Sequence, residues 1–225
     1  QDFLMPRGFT PNLPPLRSDA MRNGFMHGLD TGLFRGDQCS FGFFFVGQDL
    51  VGDSKMLGGL KPGMMVWNSE VGARSFGYHT FYYHEKSGSI IIWTPAKHGR
   101  KRFVHRGDIQ KAFKEYVTTL EDVADNFQPR FTADLEDFER AATTPYAINE
   151  DAAVQRLHND LKMSAANAKA AIAASKLTQN SFGSPLSIWN VALGIAYEAG
   201  QTGRAESLVD NTLVATKMMR SRLKV

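Results

Sequence analysis

The chain of 225 residues is poor in cysteine and contains no long apolar run. Its single cysteine, Cys39, excludes a disulfide within the chain and is typical of proteins from a reducing compartment. Because no run of about 18 apolar residues occurs, we expect no membrane-spanning helix. The cytoplasm is therefore the expected location.

The chain also lacks the signatures of common enzymes. It contains no HExxH, GxSxG or CxxC motif, and its Gly-rich segment 48–63 lacks the Gly-Lys-Ser/Thr ending of a phosphate-binding loop. The six histidines have no common ligand spacing, and helical spacing spreads the four carboxylates at 134–139 around a solvated face. We therefore predict no enzymatic activity, no cofactor and no metal. The enzymatic alternative is a nuclease site of His98, His105 and Glu70.

Charge is distributed in three blocks, although the net charge is only +3. Residues 1–106 carry a net charge of +5, residues 107–160 carry −7, and residues 161–225 carry +5. A polyanion would be attracted to the two basic blocks and repelled from the acidic one. The alternative is that the acidic block neutralises a basic patch, in the same chain or in a neighbouring copy.

The densest pattern of the sequence lies in residues 64–106. Residues 73–84 alternate as a strand does, which places Arg74, Phe76, Tyr78 and Tyr82 on one face. A predicted turn at 85–88 leads into a second strand at 89–94. Residues 97–106 then carry five basic side chains and no acidic one.

An aromatic strand face beside a basic loop is suited to single-stranded nucleic acid, because cations contact phosphates and flat rings stack on bases. Duplex DNA should bind less well, since its bases are already stacked and no recognition helix is evident. The alternative is an aromatic face that is buried under the following helix. The predicted nucleic-acid-binding residues are Arg74, Phe76, Tyr78, Tyr82, Trp93, Lys97, Arg100, Lys101, Arg102 and Arg106.

Helical patterns fill the rest of the chain. Asp108 is the expected N-cap of a long amphipathic helix whose apolar stripe, with Phe113 and Tyr116, is predicted to face the sheet. We expect Pro129 to end this helix and Thr132 to cap a short acidic one. Four further helices are predicted, at 149–163, 164–177, 184–199 and 203–223.

These elements predict an α+β fold. It comprises a small antiparallel sheet of about four or five strands with a long packed helix, followed by an α-helical C-terminal region. The predicted domains are an extended Pro-rich arm, a nucleic-acid-binding core and a helical subdomain, at residues 1–18, 19–142 and 143–225 respectively.

Three short motifs occur in order along the chain. They are Asn-Ser-Glu-Val-Gly-Ala-Arg-Ser at 68–75, His-Arg-Gly at 105–107 and Ser-Ile-Trp-Asn-Val-Ala-Leu-Gly-Ile-Ala at 187–196. In this order the chain resembles a family of uncharacterised phage/plasmid-like proteins from bacterial viruses and mobile elements. The resemblance covers most of the chain from about residue 20. A Cys and an Asn-Gly that the family has after its aromatic strand are absent from residues 90–95.

The resemblance implies a viral or plasmid protein that acts in the bacterial host cytoplasm. The order of strand, hairpin and long helix is also similar to phage single-strand annealing and single-stranded DNA-binding proteins. We therefore expect a sequence-tolerant single-stranded DNA-binding protein that assists phage DNA replication, recombination or transcription. Its expected partners are single-stranded DNA, a phage replication or transcription protein, and further copies of the chain. The alternative is an interaction or structural phage protein that binds no nucleic acid.

Overall fold

The structure, a computed structural model, describes residues 33–35, 40–46, 57–69, 76–93, 100–103, 108–177, 184–201 and 205–223. Within 33–46 and 100–103 it describes the backbone alone. The predicted arm at 1–18 lies outside these residues. The described part has an α+β fold with an antiparallel sheet and a larger helical part, as the sequence predicts.

The sheet of the described part contains six antiparallel strands. They are β1 (Leu33–Arg35), β2 (Ser40–Val46), β3 (Leu60–Ser69), β4 (Phe76–His84), β5 (Ser89–Ile91) and β6 (Arg100–Phe103). The order is β1-β2-β3-β4-β5, and β6 also pairs with β4. The sequence predicts four or five strands. The structure describes side chains in three of the strands, β3 to β5, which is fewer than predicted, whereas all six described strands are more than predicted.

Strand β3 begins earlier than the sequence predicts. Residues 60–63 were expected to belong to a Gly-rich loop, but they pair with β4, with Pro62 opposite Tyr82. Because the described part of β2 reaches only as far as Gly63, Pro62 has a described strand on one side only, and the missing N–H of proline is tolerated at such an edge. The Phe81 ring lies over Gly63, so that a Cβ there would approach the ring to within 2.0 Å.

The turn between β4 and β5 is confirmed and is tightly hydrogen-bonded. Gly88 has a φ of 65°, and its N–H donates to the His84 carbonyl at 2.8 Å. The buried His84 ring donates from Nε2 to the Leu57 carbonyl at 2.6 Å, because a carbonyl can only accept. Its Nδ1 then accepts from the Ser87 N–H at 3.1 Å. His84 therefore has a structural role in this turn.

Six helices follow the sheet in the described part. They are α1 (Ile109–Asp125), α2 (Phe127–Thr143), α3 (Glu150–Leu161), α4 (Ala165–Leu177), α5 (Ile188–Gly200) and α6 (Ala205–Leu223). The N-cap prediction for α1 is confirmed, since the Asp108 carboxylate accepts from the Lys111 N–H at 3.0 Å. Two predictions about its end are wrong. Pro129 lies in the first turn of α2, where a helix tolerates proline, and Thr132 is inside that helix.

Helices α1 and α2 cover one face of the sheet. Tyr116 of α1 lies against Tyr78, with ring centroids 6.4 Å apart. Phe131 and Phe138 of α2 lie against Tyr82, at 5.6 and 5.2 Å. The aromatic face of β4 is therefore buried in the hydrophobic core. This agrees with the alternative prediction, in which the following helix covers the aromatic face.

The C-terminal helices extend this core without a break at residue 143. Trp189 of α5 contacts both Phe138 and His84, with ring centroids 5.0 and 6.2 Å apart. Helix α5 starts at Ile188 with Ser187 as its N-cap, so the predicted start at 184 is wrong. Two hydrogen bonds join the segment that follows α2 to the segment that precedes α5. The Tyr146 N–H donates to the Leu186 carbonyl at 2.7 Å, and the Ile188 N–H donates to the Thr144 carbonyl at 3.0 Å. The division into a core at residues 19–142 and a helical subdomain at residues 143–225 stays a prediction.

Candidate nucleic-acid interface

Strands β5 and β6 lie one after the other along the same edge of β4. Tyr82 pairs with Ile91 of β5, and His79 pairs with Arg100 of β6. Between these two pairs β4 has two residues, 80 and 81, whereas the opposing chain has eight, 92–99. The opposing chain is therefore one edge strand interrupted by an insertion, residues 92–99. The predicted basic segment 97–106 includes the last residues of this insertion and all of β6.

Three of the predicted basic residues occupy consecutive positions of β6. Arg100, Lys101 and Arg102 pair with His79, Tyr78 and Gly77 of β4. Because successive strand residues belong to opposite faces, these three positions do not share one face of the sheet. This strand lies within the segment that the sequence predicts to be a basic loop. No further strand pairs with β6 in the described part of the chain, so the basic residues lie on a sheet edge.

Tyr78 does not present its ring to solvent. It is 2% exposed and packs beneath Tyr116, whose hydroxyl donates to the Gly77 carbonyl at 3.1 Å. Burial also raises the pKa of the Tyr78 hydroxyl. The expectation that Tyr78 stacks on bases at an open surface is therefore wrong, because α1 covers this part of β4.

Tyr82 and Trp93 are also buried, at 2% and 3% exposure, and they share one partner. The Tyr82 hydroxyl donates to Oδ2 of Asp134 at 2.6 Å, and Nε1 of Trp93 donates to Oδ1 of the same carboxylate at 2.9 Å. Asp134 is only 9% exposed, in contrast to the solvated face predicted for it. Both rings thus belong to a buried polar cluster, and neither offers an open stacking surface.

The buried carboxylate has an altered acidity. Burial raises the pKa of Asp134 from 3.8 to about 6, while hydrogen bonds from Tyr82 and Trp93 oppose this shift. Asp137 raises the pKa further, and Arg220 of α6 lowers it. The Arg220 guanidinium lies over the Trp93 ring, 5.0 Å from its centroid. The cluster therefore joins β4, α2 and α6 at the point where the insertion leaves the sheet.

A further contact fixes the start of the insertion. Thr216 of α6 donates a hydrogen bond from its hydroxyl to the Ile92 carbonyl. With Trp93 held by Asp134 and covered by Arg220, two consecutive residues are anchored to the helices. The edge strand thus leaves the sheet from a rigid position, and the pairing of β6 with β4 fixes where it returns.

Seven of the ten predicted nucleic-acid-binding residues have no described side chain. Arg74, Lys97 and Arg106 lie outside the described residues, and Phe76, Arg100, Lys101 and Arg102 are described only by their backbone positions in β4 and β6. Their predicted roles stay predictions, as does the alternative use of Glu70, His98 and His105. The nucleic-acid contacts of Arg100, Lys101 and Arg102 likewise stay predictions, although their strand positions are known.

Two features of this region were missed by sequence reasoning. Asp134 was assigned to an exposed face because its neighbours at 136, 137 and 139 are charged. Its spacing from Phe131 and Phe138, at i+3 and i−4, places it on the apolar face of α2 and could have located it. Phe113 was assigned to the core by the same spacing, yet it is 58% exposed.

The described residues offer no metal site and no membrane span. Their His, Cys, Asp and Glu side chains form no group of three or more that could hold a metal ion. No helix among them has the length and apolar character needed to cross a membrane.

No protein-family model matches the chain, and no curated protein or solved structure shows significant similarity to it. The resemblance to phage/plasmid-like proteins therefore stays a prediction.

Proposed function

We propose that the chain is a sequence-tolerant single-stranded DNA-binding protein whose basic residues at the β4 edge contact phosphates. The carrying observation is the placement of Arg100, Lys101 and Arg102 in consecutive positions of an edge strand. Lys97 and Arg106 lie three residues before and after this strand. The segment therefore concentrates positive charge in one short stretch of the chain, which favours binding of a polyanion.

The proposed role is assistance of phage DNA replication, recombination or transcription in the host cytoplasm. Its support is the resemblance of the motifs at 68–75, 105–107 and 187–196 to phage/plasmid-like proteins. A phage replication or transcription protein and further copies of the chain are the proposed protein partners.

The main alternative assigns the basic residues a protective role. Charged side chains on an edge strand discourage pairing with a strand of another molecule. That alternative predicts a stable protein with no salt-dependent affinity for DNA. An interaction or structural phage protein would behave in the same way.

The test is fluorescence anisotropy with a labelled oligonucleotide, single-stranded and duplex, over a series of salt concentrations. We expect tighter binding to the single strand, and an affinity that falls as salt increases. In Lys101→Ala/Arg102→Ala, affinity should fall and the salt slope should decrease by about 1.4, at about 0.7 per lost phosphate contact on a single strand.

The matched control is Lys169→Ala/Lys176→Ala. These exposed residues of α4 remove the same net charge at a distance from the β4 edge. If the control weakens binding as much as the edge variant, only net charge matters and the proposed interface is wrong. Absence of binding by the unmodified protein at low salt would overturn the function itself.

A further inference from the structure

Phe113 is an aromatic side chain on the sheet-facing stripe of α1 that the protein does not bury. It is 58% exposed, whereas Tyr116 and Leu120 on the same stripe are 8% and 2% exposed. Its ring contacts Tyr116, with centroids 6.3 Å apart. Three large apolar side chains are strongly exposed in the described part of the chain: Phe113, Ile148 and Leu177. Phe113 is the aromatic one among them.

The position of Phe113 is close to the basic edge strand. Tyr116, which the Phe113 ring contacts, donates its hydroxyl to the Gly77 carbonyl at 3.1 Å. Gly77 is the β4 residue opposite Arg102 of β6. In addition, only the four residues 104–107 connect the end of β6 to Asp108 at the start of α1. The exposed ring and the basic strand therefore belong to the same end of the sheet.

One basic side chain follows Phe113 on α1. Lys114, the next residue, is exposed. Glu115 lies about 200° around the helix from Phe113, since each residue turns the helix by about 100°, and it therefore faces away. An exposed aromatic ring beside a lysine is the combination that single-stranded nucleic acid uses for stacking and for phosphate contact.

We propose that Phe113 stacks on a base of single-stranded nucleic acid and that Lys114 contacts a neighbouring phosphate. This inference rests on the proposed function and supplies the stacking surface that the buried Tyr78, Tyr82 and Trp93 do not. A second copy of the chain is the competing occupant of this apolar surface.

The test compares two oligonucleotides of equal length, oligo(dT) and a fully abasic strand, by anisotropy at one salt concentration. The full chain is compared with Phe113→Ala, Phe113→Trp and Leu177→Ala. Leu177 is 76% exposed at the end of α4, so Leu177→Ala controls for the loss of an exposed apolar side chain. Thermal melting of each variant shows whether it is folded.

We expect Phe113→Ala to weaken binding to oligo(dT) about fivefold or more, because stacking on a single aromatic ring contributes that much per base. Binding to the abasic strand should not change, and Phe113→Trp should restore binding to oligo(dT). Leu177→Ala should bind both strands as the unmodified protein does.

Three outcomes would overturn the inference. One is unchanged oligo(dT) binding by Phe113→Ala, and another is an equal loss of affinity for both strands. The third is a concentration-dependent dimer in the unmodified protein that Phe113→Ala abolishes without affecting DNA affinity, measured by sedimentation velocity. If the unmodified protein binds oligo(dT) in each case, the proposed function stands while the role of Phe113 falls. If it binds neither strand, the proposed function falls with it.

Discussion

The two ends of β4 have similar sequences and different surroundings. Near its end, Tyr82 lies against Phe131 and Phe138 and donates to the buried Asp134. Near its start, Tyr78 is covered by Tyr116 of α1. Three helices, α2, α5 and α6, contribute to the first environment, which we call the closed end. The second, where β6 pairs and Phe113 is exposed, is the open end.

The difference shows that an alternating aromatic strand does not by itself define a binding surface. Both tyrosines are buried, because each lies under a helix whose apolar stripe follows later in the sequence. The ends differ in what surrounds the strand. At the open end the covering helix starts beside the sheet edge, and the first turns of α1 leave an aromatic ring in solvent. The described residues of the proposed interface, Phe113 and the strand positions of β6, belong to that end.

The largest loss of stability should come from disrupting the packing of α5 against α4 at the closed end. Gly194 packs so closely on α4 that a Cβ would lie 2.1 Å from the Ala171 carbonyl oxygen and 2.8 Å from the Ser175 nitrogen. Both are backbone atoms, so Gly194→Ala must push the helices apart. We expect a loss of about 3 kcal/mol in the free energy of unfolding, measured by urea denaturation.

Gly200 gives the control for this prediction. It ends the same helix, and a Cβ there would meet no atom within 4 Å. Gly200→Ala should therefore leave the free energy of unfolding nearly unchanged. Equal stability of the Gly194→Ala and Gly200→Ala variants would show that the close helix contact has no energetic importance.

The second effect is a pH dependence that belongs to the closed end. Asp134 faces Tyr82 of β4, Trp93 after β5, Asp137 of α2 and Arg220 of α6. Because burial raises its pKa from 3.8 to about 6, the folded protein keeps a proton between these pH values that the unfolded chain has lost. Stability from this group is therefore present at about pH 4 and is lost as pH rises through about 6.

The comparison that isolates this contribution is between the unmodified protein and Asp134→Asn, which has no proton to lose at this position. From pH 4 to pH 7, the free energy of unfolding of the unmodified protein should fall relative to that of the variant by about 2–3 kcal/mol. Urea denaturation at unit pH steps measures both curves. Parallel curves would mean that Asp134 titrates normally in the folded protein.

The smallest losses of stability should come from removing one tyrosine hydroxyl at each end of β4. Tyr82→Phe removes a hydrogen bond to a carboxylate and should cost about 2 kcal/mol at pH 7. Tyr116→Phe removes a hydrogen bond to the neutral Gly77 carbonyl and should cost about 1 kcal/mol. Thermal or urea unfolding gives both values. A larger loss for Tyr116→Phe would reverse the ranking of the two ends.

Local signals predicted the helices well. The capping side chain of Asp108 and the end of α5 near residue 199 were readable, because each signal acts on its own turn of backbone. The closely spaced junction of α1 and α2 was not, since Pro129 is compatible both with ending one helix and with the first turn of the next. Likewise, the strand position of Pro62 depends on how far the neighbouring β2 extends.

The candidate site was less predictable, because exposure depends on contacts between distant segments. Tyr78 and Phe113 both follow an amphipathic period, yet one is buried and the other is not. What decides the difference is the position at which α1 starts relative to the sheet edge, and no local pattern encodes that position. The role of Asp134 similarly requires Tyr82 and Trp93, which are 52 and 41 residues away in sequence.

The interrupted edge strand has a consequence for how such a protein can change over evolutionary time. Its inserted residues 92–99 begin and end against the same strand, so their number is not fixed by the sheet. Doubling the length of a connecting segment costs only about 0.6 kcal/mol in closure entropy. Insertions and deletions between residues 94 and 99 should therefore be tolerated far better than changes in β4. This segment is where relatives of the chain would diversify without altering the fold.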